Sequence, residues 1–305
     1  MTSRLPYSPA CVSRRLMLSG ALGLGATAAL SGCGVKDSLE AQGQAFVDPQ
    51  IPPGLPPEYY PAKGFVWSGL TVGKHPQARY GVGAPPVNPR GHFLVLADAA
   101  YPAEVYFDLV RPIYDLGLSV WILEAPGQGG SGRYIFENQH VDIPDYKHAT
   151  TCAKALISDV IRPEPQKPLY VFGHGSGALT AMQLEGQPIQ SLYLYGVWSG
   201  PDNTGSEPWS GDTPPTDEWG QIAFRWQKAN PDLRLKGVTQ GWIKEMEKAR
   251  KAAMTKGAKI PAVWLEAEAD IDKARTMCSQ RSACQAVAVK DRDDLKRYLT
   301  ARIAD

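Results

Sequence analysis

The chain has few of the features that mark nucleic-acid-binding, nucleotide-binding or membrane-spanning proteins. Its net charge is only +1 over 305 residues, so we expect no broadly basic surface and no nucleic-acid partner. The glycine-rich run Gly173–Gly177 has the spacing neither of a dinucleotide-binding fingerprint nor of a P-loop. The one apolar run near the N-terminus is too short and too rich in glycine for a stable membrane span. A hydrophobic fraction of 43% and a charged fraction of 21% are typical of one globular domain with a full core.

The N-terminal 32 residues predict an export signal. Arg14 and Arg15 precede an apolar, small-residue stretch and resemble a twin-arginine signal. The stretch ends in Leu30-Ser31-Gly32-Cys33, which is similar to the lipobox of bacterial lipoproteins and implies cleavage before Cys33 and acylation of its thiol. We therefore expect a lipoprotein anchored to a bacterial membrane and facing the periplasm, with the inner or outer membrane not determined. The alternative is a plain signal with an incidental cysteine.

The mature chain is predicted to consist of a tether and one domain. Residues 33–63 contain the proline-dense run from Pro49 to Pro61, which favours extended, polyproline-like chain and a stiff spacer. Residues 64–305 are predicted to form the folded domain.

Export also affects the cysteines, because disulfides form in oxidising compartments. Cys11 is lost with the signal, and acylation of Cys33 leaves three thiols. Cys278 is expected to end a helix and Cys284 to begin the next strand, so the two form a disulfide or remain as two free thiols. Cys152 lies on an apolar helical stripe and is expected in the core.

After residue 64 the pattern alternates between strands and helices, which predicts an α/β fold with a mostly parallel sheet covered on both faces. Residues 198–259 interrupt this alternation and predict a cap over the carboxyl edge of the sheet. Its tryptophans suit packing of the cap onto the sheet or the lining of an apolar ligand site. The predicted strands are 65–72, 92–96, 118–123, 168–172, 190–197, 260–265 and 285–289, and the predicted helices are 103–116, 146–161, 178–182, 239–255 and 292–303.

The run Gly173–Gly177 lies where a predicted strand turns into a helix, and it has the pattern of a nucleophile elbow. The positions two residues on either side of a nucleophile must be small, because strand and helix approach closely there. Centring the frame on Gly175 places glycine at both positions, whereas centring it on Ser176 would place His174 and Ala178 there. The elbow therefore carries glycine where the attacking side chain belongs. The simpler alternatives are a phosphate-binding loop or a turn without function.

Several further runs occur in an order and spacing that, with the elbow, resemble the monoacylglycerol lipase and lysophospholipase branch of the α/β-hydrolases. The resemblance extends from about Gly91 to Leu299 and implies the α/β-hydrolase fold. The runs are Tyr106-Phe107, Gly127 to Arg133, His140 to Asp142, Asn230 to Leu235 and Ile260 to Leu265.

The resemblance also implies where a catalytic triad would lie. The serine belongs at Gly175, the acid falls on Asp270, and the histidine, expected after the last strand, falls on Asp293. Acyl transfer needs a nucleophile and a base, so no intact catalytic set is expected. Every histidine of the chain precedes Asp270, and His174 beside the elbow is expected to pack structurally. The five are His75, His92, His140, His148 and His174.

The oxyanion loop departs from the family as well. Asp98 stands where the family has glycine, next to Ala99, and the second oxyanion donor belongs to Ser176. A carboxylate about 4 Å from a developing oxyanion would oppose it by roughly 4 kcal/mol at an effective dielectric of 20, provided that it faces inward.

These features favour a pseudo-hydrolase, a binding or scaffold module that retains the fold without the chemistry. Gly175 is expected to leave the pocket floor open for a lipid, acyl or other apolar ligand, and a protein partner is the other interpretation. The alternative function is an active esterase or lysophospholipase-like hydrolase that uses Ser176 with an unforeseen base. Two carboxylates, Asp270 and Asp293, are too few to define a cation site, so no metal and no cofactor are expected.

Overall fold

The computed structural model describes residues 43–85, 87–135, 140–200, 209, 211, 213–255 and 259–304. The predicted signal peptide and Cys33 lie outside the described residues, and so does part of the predicted cap.

The fold is built on one eight-stranded sheet in the order β1-β2-β4-β3-β5-β6-β7-β8. The β1–β2 and β2–β4 pairs are antiparallel, and every other pair is parallel. This arrangement confirms the predicted α/β class. The strands are β1 (Val66–Leu70), β2 (Ala78–Gly83), β3 (His92–Leu96), β4 (Ser119–Glu124), β5 (Leu169–His174), β6 (Ile189–Tyr195), β7 (Ala262–Ala267) and β8 (Cys284–Val289).

Helices cover both faces of the sheet. α1 follows a 3-10 turn at Ala103–Tyr106, α2 continues into a π-helix at Leu156–Ile161, and further 3-10 turns lie at Pro231–Leu233 and Glu268–Asp270. The helices are α1 (Phe107–Asp115), α2 (Lys147–Ala155), α3 (Ser176–Ala181), α4 (Glu218–Ala229), α5 (Gln240–Thr255), α6 (Ile271–Cys278) and α7 (Arg292–Ala304).

The core consists of two apolar layers, one on each face of the sheet. All five residues of β3 are buried, and they alternate between the layers, because successive side chains of a strand point to opposite faces. Leu94 and Leu96 pack in the layer with α2, α3, α5 and α6, whereas Phe93 and Val95 pack in the layer with α1, α4 and α7. Because strands β3 to β8 run parallel, their carboxyl ends meet at one edge of the sheet.

The predicted tether lies against the domain from residue 43 onward, so the described part of residues 33–63 packs on the domain instead of forming the expected stiff spacer. Asn230 holds it through a pair of bonds to the backbone of Gln50, at 2.7 and 2.9 Å. Leu55 is buried in the α1 layer, and a 3-10 turn interrupts the extended chain at Pro57–Tyr59. The segment packs on the domain because apolar residues lie between its prolines.

Two elements of the structure are not predicted by the sequence. β2 contains an arginine and two glycines, yet Arg79 is fully buried because the carboxylates of Glu104 and Glu124 pair with its guanidinium. α4 lies in the part of the cap that the sequence marks as polar, and Trp226 is the residue that buries it against Phe107. Within the described residues, no helix is long and apolar enough to cross a membrane.

Candidate active site and its relatives

The elbow is formed where β5 ends at His174 and α3 begins at Ser176. Gly175 between them has φ +54° and ψ −117°, a backbone conformation that strongly favours glycine. A Cβ at Gly173 would lie 2.6 Å from the Cα of Ala178, and one at Gly177 would lie 2.1 Å from a backbone oxygen. These close approaches explain why the frame is centred on residue 175.

The Asp98 side chain occupies the space of the missing nucleophile. A Cβ added at Gly175 would lie 2.3 Å from the carboxyl carbon of Asp98, so the expectation that Gly175 leaves an open pocket floor is wrong. The carboxylate faces inward and is buried, with 8% of the residue exposed. The glycine of the elbow and the aspartate of the β3 loop therefore fit each other.

The same carboxylate fills the oxyanion hole. In an elbow of this kind the hole is made by the backbone N–H after the nucleophile and an N–H from the loop after β3. Asp98 Oδ1 accepts from the backbone N–H of Ser176 at 2.9 Å and from that of Ala99 at 2.8 Å. We call these two N–H groups the oxyanion cradle. Its donors point at a carboxylate of the chain itself, so a substrate carbonyl oxygen has no place there.

Burial raises the pKa of Asp98, and the hydrogen bonds from Ser176 and Ala99 oppose that rise. The Ser176 hydroxyl donates to Asp98 Oδ1 at 2.9 Å and accepts from the backbone N–H of Ala99 at 3.0 Å. Ser176 is 6% exposed, and no imidazole of the described chain is hydrogen-bonded to its hydroxyl. Ser176 therefore lacks the geometry of an activated nucleophile.

His174 is buried beside the elbow and is held as a neutral ring. Its Nδ1 is hydrogen-bonded to the Tyr106 hydroxyl at 3.0 Å, and that hydroxyl also accepts from the backbone N–H of Asp98 at 2.9 Å. Burial lowers the pKa of His174 to about 3, and the charge of Arg292 acts in the same direction. The ring packs 4.5 Å from Trp219. This is the structural packing predicted for His174, and it makes the ring a poor proton acceptor near neutral pH.

The two remaining triad positions do not converge on the elbow as a pair of carboxylates. Asp270 ends a 3-10 turn after β7 and is exposed. The Asp293 side chain is 66% exposed and pairs with Lys296 at 2.6 Å. The inward-facing residue at the start of α7 is Arg292, because its buried guanidinium pairs with Asp108.

Sequence reasoning missed Arg292 as part of this site. Its guanidinium carbon lies 3.8 Å from the ring centroid of Trp219, the residue that packs on His174. The only signal in the sequence was an arginine preceding two aspartates at a helix start, a pattern that more often marks a solvated helix end. A cation and an aromatic ring therefore pack beside His174 at the elbow.

Two cavities adjoin the loops at the carboxyl edge of the sheet. One of about 20 Å³ lies beside Ser176 and is closed by Trp242 and Met246 of α5. The other, of about 150 Å³, lies between the end of α5, α6 and β7, and Asp270 is among its lining residues. They have no lining residue in common.

The cysteines of the described chain are in two states. Cys278 at the end of α6 and Cys284 at the start of β8 are joined by a disulfide, with their Cα atoms 5.4 Å apart. Cys152 is a buried free thiol in the core, and burial raises its pKa to about 12. Between the two states that the sequence left open for Cys278 and Cys284, the structure has the paired one.

Comparison with known proteins agrees with this fold. Residues 88–201 match the family model described as serine aminopeptidase, S33. No curated protein matches the chain by sequence.

Solved structures share the fold at low sequence identity. The monoacylglycerol lipase of Paleococcus ferrophilus superposes with a TM-score of 0.52 at 13% identity, over 74% of this chain and 97% of the lipase. The thioesterase domain from the curacin biosynthetic pathway gives 0.53 at 13% identity, over 79% and 98%. A bacterial membrane phospholipase A described as a virulence factor gives 0.51 at 12% identity, over 88% of each chain. The chain therefore has the α/β-hydrolase fold, as its motifs predict, and its fold is similar to that of a monoacylglycerol lipase.

Proposed function

We propose that this protein is a non-hydrolysing member of its superfamily that binds a small apolar or acyl ligand. The observation that carries the proposal is the Asp98 carboxylate, which occupies both the oxyanion cradle and the volume of the absent nucleophile. Either change alone would impair acyl transfer. Together they remove the attacking atom and the stabilisation of the charge that develops during attack.

The magnitude of the expected loss is large. Loss of the serine or of the histidine in one well-studied serine hydrolase lowers turnover about 10⁶-fold. Losing one oxyanion donor lowers turnover by about 10² to 10³-fold in such enzymes, and here Asp98 engages the N–H groups of both Ala99 and Ser176. His174 does not replace the missing catalytic base, because a pKa of about 3 makes its imidazole too weak a base near neutral pH.

A binding role is supported by the cavity of about 150 Å³ between α5, α6 and β7. It lies near the carboxyl edge of the sheet, where proteins with parallel sheets commonly bind ligands. A role as a scaffold for a protein partner is the other form of the proposal, and no surface of the described chain identifies that partner. The twin-arginine-like signal and the lipobox at Cys33 support export and lipid anchoring on the periplasmic side of a bacterial membrane.

The test is activity-based labelling of the full-length protein. We expect no labelling by a fluorophosphonate probe and no turnover of p-nitrophenyl butyrate above the rate of a Ser176→Ala variant. An active monoacylglycerol lipase at the same concentration serves as the positive sample. Saturable turnover that disappears in Ser176→Ala, or probe attachment at Ser176, would overturn the proposal in favour of the esterase alternative.

A further inference from the structure

The cavity between α5, α6 and β7 combines an apolar interior with a charged rim. Its apolar lining includes the rings of Trp198 and Trp264 and the side chains of Met254 and Met277. The volume of about 150 Å³ is that of an engineered apolar protein cavity known to admit benzene. The interior therefore fits one six-membered ring or a short alkyl chain.

Two hydrogen-bond donors in the lining lack partners. The indole Nε1 of Trp198 is buried without a hydrogen bond, and the whole residue is only 2% exposed. Arg250 has a buried Nε without a partner, and no ion pair within the described chain involves this half-buried residue. Leaving such donors unsatisfied is unfavourable by about 1 to 3 kcal/mol each, which a ligand that presents acceptor atoms would recover.

The other charged groups of the lining are already engaged or exposed. Lys273 donates to the Ser199 hydroxyl at 3.2 Å, and Glu266 accepts from the backbone N–H of Ala267 at 3.2 Å. Asp270 is exposed. Burial raises the pKa of Glu266. The group that calls for a charged partner is therefore the guanidinium of Arg250.

We infer that this cavity binds a small monocarboxylate whose apolar part is about the size of a six-membered ring or a five-carbon chain. The carboxylate pairs with Arg250, whose planar fork matches it, and it also accepts from the indole N–H of Trp198. The apolar part lies against Trp264, Met254 and Met277. The inference rests on the proposed binding role and names its ligand class.

The contacts of Trp198 connect this cavity to the elbow. The backbone N–H of Trp198 donates to the carbonyl oxygen of Gly175 at 3.2 Å, and its ring packs edge-on against Trp242 at 5.8 Å. Trp198 thus forms a wall of the ligand cavity and supports the backbone that holds Asp98 in place. The cavity is distinct from the space above an elbow nucleophile, because neither Gly175 nor Ser176 lines it.

The test is titration of the full-length protein with benzoate and with hexanoate. Binding is measured by calorimetry and by tryptophan fluorescence. We expect saturable 1:1 binding with a dissociation constant below about 1 mM, the range open to a ligand of this size. Hexanol, which has the same chain without the carboxylate, should bind at least tenfold more weakly. No saturable binding of either acid at 10 mM, or equal binding of hexanol, would overturn the inference.

Variants locate the site. Arg250→Met keeps an unbranched stem but removes the guanidinium, and it should weaken benzoate binding at least tenfold, whereas Trp198→Phe should weaken it about threefold to tenfold. Arg250→Lys provides a second variant if Arg250→Met fails to fold, and it should also bind more weakly because it lacks the fork. Lys244→Met removes a charge from the same helix outside the cavity and should bind like the wild type.

The outcomes also separate this inference from the proposed function. An inactive protein that binds neither acid would contradict the ligand class and leave the loss of hydrolysis intact. A protein that labels with fluorophosphonate would contradict the proposed function whatever its affinity for benzoate. Equal affinity in wild type, Arg250→Met and Trp198→Phe would place binding elsewhere and overturn the inference.

Discussion

Gly175 and Asp98 depend on each other, because a side chain at the first and the carboxylate of the second compete for one volume. The hydrogen bonds that hold Asp98 are the ones that a hydrolase uses for its transition state. A change from serine to glycine alone would have left the volume of the nucleophile unfilled and the two N–H groups of the oxyanion cradle without this carboxylate. The paired arrangement instead gives every donor of the cradle a partner, so the site is a satisfied part of the buried structure.

This dependence predicts a strong coupling between the two positions. Gly175→Ala should lower the free energy of unfolding by roughly 3 kcal/mol, from overpacking against Asp98 and from a side chain at φ +54°. Adding Asp98→Gly should recover at least about 1 kcal/mol of that loss, although Asp98→Gly alone is destabilising. Urea unfolding of the two single variants and the double variant measures the coupling.

Gly186 is a matched control for the backbone contribution. It has φ +85°, but a Cβ there would meet no atom within 4 Å. Gly186→Ala should therefore lower the free energy of unfolding by only about 1 kcal/mol. If Gly175→Ala were no more destabilising than Gly186→Ala, Asp98 would not occupy the volume described.

His174 gives a pH dependence of known sign. Its pKa of about 3 in the folded protein lies below the ordinary value of 6.5, so below pH 6.5 the unfolded state binds the proton and the folded state does not. The stabilisation is fully present above pH 6.5 and falls as the pH drops toward 3. Between pH 7 and pH 4.5 this amounts to a loss of roughly 2.5 kcal/mol, at about 1.4 kcal/mol per pH unit below 6.5.

Comparison with His174→Asn isolates this residue, since an asparagine amide can still hydrogen-bond the Tyr106 hydroxyl. The difference in unfolding free energy between wild type and variant should shift by roughly 2.5 kcal/mol in favour of the variant between pH 7 and pH 4.5. Urea unfolding at the two pH values measures it. A constant difference would mean that His174 titrates normally and is accessible to protons.

Among the strands and helices, the sequence predicts those whose burial follows from the apolar pattern of neighbouring residues in the chain. β3, β5 and β7 are buried runs, and the glycines around Gly175 report a close strand–helix approach that the coordinates reproduce. β2 escapes prediction because its arginine is buried through partners 25 and 45 residues away, which no local pattern contains. The inward turn of Asp98 is missed for the same reason, since its donor at Ser176 lies 78 residues away.

The disulfide between α6 and β8 stabilises an edge of the sheet, because β8 pairs only with β7 within the described sheet. Closing so short a loop is worth about 2 kcal/mol in the chain-entropy model. The double variant Cys278→Ser/Cys284→Ser should lose about that much stability in urea unfolding. Reductant should lower the free energy of unfolding of the wild type to that of the double variant.

The reductant experiment has an internal control. The double serine variant should be insensitive to dithiothreitol, and native Cys152 should resist thiol reagents, because burial raises its pKa to about 12 and excludes the reagent. Equal stability of oxidised and reduced wild type would show that the disulfide contributes nothing measurable.

For the whole molecule, the docked proline-rich segment changes how the domain would sit on a membrane. The chain lies on the domain from Gly43 onward, through bonds such as that from the Phe46 N–H to Gly130. If Cys33 is acylated, the connection from Cys33 to Gly43 spans at most about 35 Å. A spacer that extended to residue 63 would reach three times as far. The domain would therefore be held close to the lipid surface.

Lipid anchoring predicts that membrane association depends on Cys33 alone. Two or more acyl chains hold a protein durably, at about 0.8 kcal/mol for each buried CH₂. Full-length protein produced in a Gram-negative bacterium should fractionate with membranes and carry the added mass of acyl chains. Cys33→Ser should move to the soluble fraction, with far-UV circular dichroism unchanged because residue 33 lies outside the predicted domain of residues 64–305.

Cys11→Ser is the matched control, since it removes a thiol from the segment that cleavage before Cys33 would discard. It should remain with the membranes and give a mature mass identical to that of the wild type. Retention of Cys33→Ser in the membrane fraction after a high-salt wash, or a wild-type mass without acyl chains, would contradict the lipobox interpretation. The first result would assign anchoring to another part of the chain, the uncleaved signal or an apolar surface of the domain, and the second would leave a plain export signal with an incidental cysteine.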